Sequence, residues 1–175
     1  MKPQGDLINT LCPNCALCCN GVLFKDVELQ LGDSAKKLEA LGLPVKVSRS
    51  KTGVARFPQP CAALSGCQCR IYAERPARCR QFECALLKAV VAGEIEKESA
   101  LRTIRDARKR AEKVRGLLQE LGDTNESLAL SLRFKRIKKK IETSALDDDT
   151  AEIFSRLTLA VHDLNLLLHA KFYPG

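Results

Sequence analysis

Cys12-Pro13-Asn14-Cys15-Ala16-Leu17-Cys18-Cys19 opens the decisive part of this chain, and Cys61-x5-Cys67-x-Cys69-x9-Cys79-x4-Cys84 closes it. Thiolates repeated at two-residue intervals crowd several sulfurs around one centre, and their repulsion requires a cation or an iron cluster to neutralise it. The pattern predicts a metal site. Neighbouring residues of an extended chain point to opposite sides, so Cys18 and Cys19 do not readily converge on one small ion, and two centres or one larger cluster fit better. Cys79 and Cys84, five residues apart, lie about 140° apart around an ideal helix. Either the helix begins only near Cys84 or the two serve different centres. Both points suggest that the two runs interleave around shared sites.

Outward from the cysteines, composition divides the chain. Residues 1 to about 87 hold all nine cysteines and most of the prolines, whereas 88–175 read as a nearly continuous helical pattern. The expected organisation is therefore a cysteine-rich segment at 1–87 and a helical bundle at 88–175. In the first part Val22-Leu23-Phe24 is a strand candidate, and Asp33-Ser34 is placed to cap a short helix that runs to Leu41 and stops at Gly42. Val45–Val47 and Val54–Phe57, separated by the turn signal Ser50-Lys51-Thr52-Gly53, form a hairpin candidate. Elements this short bury little apolar area, and metal is the available staple.

Beyond Cys84, Ala85–Ala92 reads as a short helix stopped by Gly93. A second begins near Glu94 and reaches Leu121, with Ile104, Ala107, Ala111, Val114, Leu118 and Leu121 along one seam. Gly122-Asp123-Thr124-Asn125 ends it and caps a third, which carries Leu130, Phe134, Ile137 and Ile141 to about Glu142. The last follows Asp147-Asp148-Asp149, a capping and dipole-complementing triplet, with Ile153, Leu157, Val161, Leu164 and Leu168 on one face. The fold class expected is α+β, predominantly helical, with an irregular metal-binding segment packed on an antiparallel helical bundle.

The second cysteine run carries more than thiols. Cys69-Arg70-Ile71-Tyr72-Ala73-Glu74-Arg75-Pro76-Ala77-Arg78-Cys79-Arg80-Gln81-Phe82-Glu83-Cys84 sets four arginines among the sulfurs, where positive charge lowers thiol pKa and balances thiolate charge. With Cys12-x2-Cys15-x2-Cys18-Cys19 ahead of it, this segment resembles the CxxCxxCC cysteine-cluster family of zinc- or iron-chelating proteins over residues 12–84. The resemblance implies metal ligation by Cys12, Cys15, Cys18, Cys19, Cys61, Cys69, Cys79 and Cys84, with Tyr72, Arg75 and Pro76 as accompanying positions, and with zinc or an iron–sulfur cluster as the cofactor. Cys67 is additional to that pattern. A similar arrangement occurs in flagellin lysine methylases, which pair it with an iron–sulfur cluster, so redox or methylation-related chemistry is implied as an alternative. The chain has no glycine-rich phosphate-binding turn or Gly-x-Ser-x-Gly motif to place it in a named enzyme class.

Charge and targeting signals narrow the setting. The formal net charge of +8 counts every thiol as protonated; eight thiolates on two divalent ions would bring it to about +4. Residues 133–140 concentrate six Lys or Arg, which reads either as a footprint for an acidic protein or nucleic acid, or, by preference, as the solvated side of an amphipathic helix. His162 and His169, about 10.5 Å apart along a helix, are too far apart for one ion. No segment has a signal-peptide or membrane-spanning pattern, which predicts a cytosolic protein without membrane attachment, where thiols stay reduced or bind metal.

Overall fold

The structure, a computed structural model, describes residues 10–47, 53–143 and 147–173. It is α+β and mostly helical, with small antiparallel sheets. Two compact units are formed, one from Ala16–Phe82 with Glu126–Ser131, the other from the described residues of Met1–Cys15, Glu83–Asn125 and Leu132–Gly175. The units are discontinuous in sequence. Cys12, Cys15 and Cys84 fall in the second unit and the other six cysteines in the first.

The cysteine unit is built on a three-stranded antiparallel sheet in the order β1 (Asp26–Glu28), β3 (Ala55–Pro58), β2 (Lys46–Val47). Strand β3 is central because Phe57 faces Val27 across β1, and both are almost fully buried. The hairpin expected between 45 and 57 is present, with Lys46 opposite Arg56 and Val47 opposite Ala55; the turn residues Ser50, Lys51 and Thr52 lie outside the described residues. Helix α2 (Ala35–Ala40) is capped as its sequence predicts, Ser34 Oγ accepting from the Lys37 amide at 3.2 Å, and it ends at Gly42 with φ +87°. It delivers Leu38 to a core of Val27, Leu43, Phe57, Ala63 and Ile71. A second hairpin, β4 (Leu64–Ser65) with β5 (Gln68–Cys69), places Gly66 and Cys67 in its two-residue turn.

Val22-Leu23-Phe24 is not a strand. Residues 16–23 form tight turns, with Ala16 at φ +55° and hydrogen bonds from Cys19 and Asn20 amides to Ala16 O and from Leu23 to Leu17 O. Asn20 Oδ1 also takes the Val22 amide at 3.2 Å, a local side-chain bond that competes with extended pairing. Gly21, at φ +78°, leaves no room for a side chain: a Cβ there would lie 3.0 Å from Ala129 Cα and 3.2 Å from Pro60 Cδ. Its carbonyl accepts the Leu130 amide at 2.9 Å, so the turn cannot simply move away. Gly21→Ala should destabilise this unit by about 1–3 kcal/mol through strain and overpacking. Urea unfolding checks it; a midpoint equal to the parent's would refute the crowding argument.

In the helical unit, residues 10–15 form α1, followed by α3 only in the other unit (Ala77–Gln81) and then by α4 (Ala85–Val91), α5 (Lys97–Glu120), α6 (Leu130–Glu142) and α7 (Asp148–Lys171). Helix α5 buries Ala100, Ile104, Ala107, Ala111, Val114, Leu117 and Leu118, which keeps the predicted seam except for Leu121, half-buried beyond the helix end, and α7 buries Leu157, Ala160, Leu164 and Leu168, with the predicted Ile153 and Val161 only half-buried. The three alanines on α5 allow close approach, and the two helices run antiparallel: Arg110 Nη1 donates to Asp163 O at 3.1 Å, while Glu120 meets Arg156 at 3.9 Å. Phe134 on α6 stacks on Phe154 of α7 with centroids 6.4 Å apart. Asp147 caps α7, its Oδ1 accepting from the Thr150 amide at 2.7 Å.

Two details depart from the sequence pattern. Helix α5 starts at Lys97, because Gly93 turns the chain at φ +75° and 94–96 complete that turn. Helix α6 starts at Leu130 and is not capped by the 122–125 segment. Asp123 is instead a buried hub, 2 % exposed. Its Oδ1 accepts from Arg133 Nε at 3.1 Å, its carbonyl from Arg133 Nη2 at 2.7 Å, and its Oδ2 from Arg136 Nη2 at 2.6 Å. Arg133, counted in sequence on the basic outer side of this helix, is 1 % exposed.

Candidate metal centre

Six of the nine thiols belong to the cysteine unit, and four of them share one electrostatic environment. Cys19 leaves the 16–23 turns, and its carbonyl accepts the Cys61 amide at 2.8 Å, which ties the first cysteine run to the second through the backbone. Cys61 follows β3, Cys69 closes β5, and Cys79 lies in α3 (Ala77–Gln81). Asp33 fixes that short helix from 44 residues away, its Oδ1 accepting the Ala77 amide at 2.9 Å while its Oδ2 takes the Gln30 amide at 2.8 Å. Asp33 thus serves the turn and α3, and Ser34 alone caps α2. Cys61, Cys69 and Cys79 pack against the apolar core of Val27, Phe57 and Ile71.

Burial therefore dominates the chemistry of these thiols. It pushes Cys79 up to about 12, with the nearby Cys19, Cys61 and Cys69 adding to the rise and Arg75 opposing it. Cys61 is raised by burial first, against the amides of Ala63 and Leu64, with Cys19 and Cys69 raising it further. Cys69 is also raised by burial, partly offset by the Ile71 amide and Arg75. Cys19 goes the other way, lowered chiefly by its hydrogen bond with Cys18, Sγ to Sγ 3.6 Å, and by Arg75, against burial. Four thiolates cannot coexist in this shielded place without a compensating cation.

Arg75 is the basic side chain common to Cys19, Cys69 and Cys79. Its guanidinium carbon lies 3.6 Å from the Tyr72 ring centroid, and its Nε donates to Tyr72 O at 3.0 Å. The Tyr-x2-Arg-Pro motif is thus a holder for one cation, with Pro76 supplying the carbonyl that the Cys79 amide donates to at 3.0 Å. Two other arginines of the segment bond to backbone carbonyls: Arg70 Nη2 donates to Ala62 O and Arg80 Nη1 to Arg75 O. The extra cysteine, Cys67, occupies the β4–β5 turn.

In the helical unit, Cys12 and Cys15 lie on α1 and Cys84 immediately precedes α4. Burial raises Cys84, against the amides of Leu87 and Leu86 at the start of α4. Cys79 lies in α3 while Cys84, itself extended, stands just before α4, because Phe82 is extended and ends α3. His162 and His169 are exposed on α7, the latter against Tyr173 with ring centroids 4.8 Å apart.

No cysteine is in a disulfide. Among the described residues no group of three or more His, Cys, Asp or Glu side chains is already arranged to hold an ion, so what the fold supplies is proximity, shared burial and Arg75. The donor chemistry fits a thiophilic metal or an iron–sulfur cluster, which take thiolates as ligands. Residues that the sequence could not assign include Asp33, whose place beside α3 depends on a contact 44 residues distant.

Among the described residues, no helix is long and apolar enough to cross a membrane. No curated protein and no solved structure matched the chain. The model of one family, described as "Putative zinc- or iron-chelating domain", matches residues 11–111, which extends past the cysteines through the first half of α5. With more than half of its length covered by that match, the chain belongs to the CxxCxxCC family.

Proposed function

We propose that this protein chelates zinc or an iron–sulfur cluster through its family cysteines, with Cys19, Cys61, Cys69 and Cys79 as one centre and Cys12, Cys15, Cys18 and Cys84 as the remaining ligands. The observation that carries this reading is the seating of Cys61, Cys69 and Cys79 on one apolar core, with Cys19 joined to Cys61 by the 2.8 Å hydrogen bond from the Cys61 amide to the Cys19 carbonyl. Bound metal would neutralise the thiolates and fix the short elements that carry them; this role is structural first. Arg75 would balance part of the excess negative charge of a four-thiolate centre. Helices α5, α6 and α7 form an antiparallel bundle in this reading, supported by the Arg110–Asp163 and Phe134–Phe154 contacts. Thiolate ligands that must stay reduced to bind metal accord with a reducing compartment, the cytosol.

Elemental analysis and an optical spectrum of anaerobically purified protein test the proposal. Zinc without visible absorbance indicates closed thiolate sites, whereas iron with labile sulfide and a brown colour indicates a cluster. Protein that takes up neither metal after reconstitution would refute it. Site assignment is checked by variants: Cys79→Ser should lower metal content to the level of one lost centre, and Cys67→Ser should leave it at the parent value. Equal losses in both would remove Cys67 from its place outside the ligand set.

A further inference from the structure

Helix α5 carries a line of positive charge unrelated to the thiols. Arg102, Arg105, Lys109 and Lys113 are all exposed, and among the described residues none makes an ion pair or a hydrogen bond. At 100° per residue they occupy about 80° of arc, diametrically opposite the buried seam of Ala100, Ile104, Ala107, Ala111 and Val114. They span about 16 Å of helix. Of the other basic groups on α5, Arg110 pairs with Asp106 at 3.1 Å, Arg115 with Glu112, and Arg108 donates to Asn14 O at 2.9 Å. Asp106 and Glu112, which flank the line, are already paired with Arg110 and Arg115, and Glu98, four residues before Arg102, is the acid at its N-terminal end.

We propose that this face of α5 binds the phosphate backbone of duplex nucleic acid, independently of sequence. Its composition selects among polyanionic partners. A membrane-surface helix needs apolar side chains beside its cations, and the line has none. Protein interfaces rest on a buried aromatic or aliphatic centre, also lacking here. Single-stranded nucleic acid is held by stacking on aromatic rings, and no aromatic residue lies on α5. A straight row of four cations matches a regular row of phosphates, and contacts of this type position a protein without reading bases.

Fluorescence anisotropy of a labelled duplex of arbitrary sequence, titrated with the full-length protein from about 50 to about 200 mM KCl, tests this. Four phosphate contacts should give a slope of log K against log salt of about −3.6. Replacing all four residues by Gln, a good helix former, should abolish most of that slope while circular dichroism stays unchanged. A control with the same charge loss, Lys25, Lys36, Lys37 and Lys46 replaced by Gln, should retain it. Equal losses in the two quadruple variants would reduce the effect to net charge and overturn the assignment. So would a flat salt response, binding to anionic vesicles in place of the duplex, or preference for single strands.

Discussion

Asp123→Ala should be among the most destabilising single substitutions in the chain, costing about 3–5 kcal/mol. The carboxylate is fully buried and compensates Arg133, whose side chain is 2 % exposed. Removing it strands a guanidinium that has no water to turn to, and the penalty of an uncompensated buried charge exceeds the net worth of the pair. Arg136 contributes less, since its side chain is 46 % exposed. For a chain of this size the loss corresponds to a fall in Tm on the order of 10 °C, measurable by calorimetry. Asp123→Ala combined with Arg133→Met should recover much of it, because the orphaned charge is then gone. A single variant within about 1 kcal/mol of the parent would show that the pair is not closed to water.

The same carboxylate gives the helical unit a pH dependence. Burial alone would raise its pKa, but the hydrogen bonds from Arg136, Arg133 and the Asn125 amide outweigh it and hold the group below its ordinary value of 3.8. A depressed folded-state pKa stabilises the fold above the unfolded value, and that contribution disappears as pH falls from 3.8 through the folded value. Stability should therefore drop more steeply below pH 3.8 in the parent than in the double variant, which has no carboxylate at 123.

What could be read from sequence was whatever depends on local periodicity or local capping. The seam of α5, the Asp147 cap of α7, the Ser34 cap of α2 and the hairpin ending at Phe57 are all properties of a few neighbouring residues. Misreadings arose where a distant partner decides the outcome. Val22-Leu23-Phe24 has strand composition, but Asn20 and the left-handed Ala16 and Gly21 turn the chain before it can pair. Arg133 looks like one more solvated cation until Asp123, ten residues earlier, comes to meet it in the core. That the cysteines mark a metal-chelating family was legible in their spacing. Their grouping was not, because Cys19 reaches Cys61 through a backbone bond across a 42-residue loop that no local rule foresees.

Stripping metal from the purified protein under reducing conditions should unfold Ala16–Phe82 and leave α5 and α7 largely intact. The cysteine unit has little else to hold it: its strands are two to four residues long and its helices five and six, lengths that are marginal without outside support. Its core of Val27, Leu38, Leu43, Phe57, Ala63 and Ile71 is lined on one side by Cys61, Cys69 and Cys79. On the proposed assignment, losing a cation held by those sulfurs would open the core to water. Structural zinc binding is worth about 10–16 kcal/mol in small thiolate domains, comparable with or larger than the whole stability of a typical domain at about 5–15 kcal/mol. The helical unit has its own buried seam, with Leu118, Leu157 and Leu168 at 1 % exposure or less, and does not draw on the four-thiol centre for it. Amide hydrogen exchange followed by mass spectrometry resolves the two behaviours: protection should vanish over β1, β3 and α2 and persist over α5 and α7. Retained protection in β1 and β3 after complete metal removal would mean that the apolar core suffices, and that the thiols serve an ion the fold does not need.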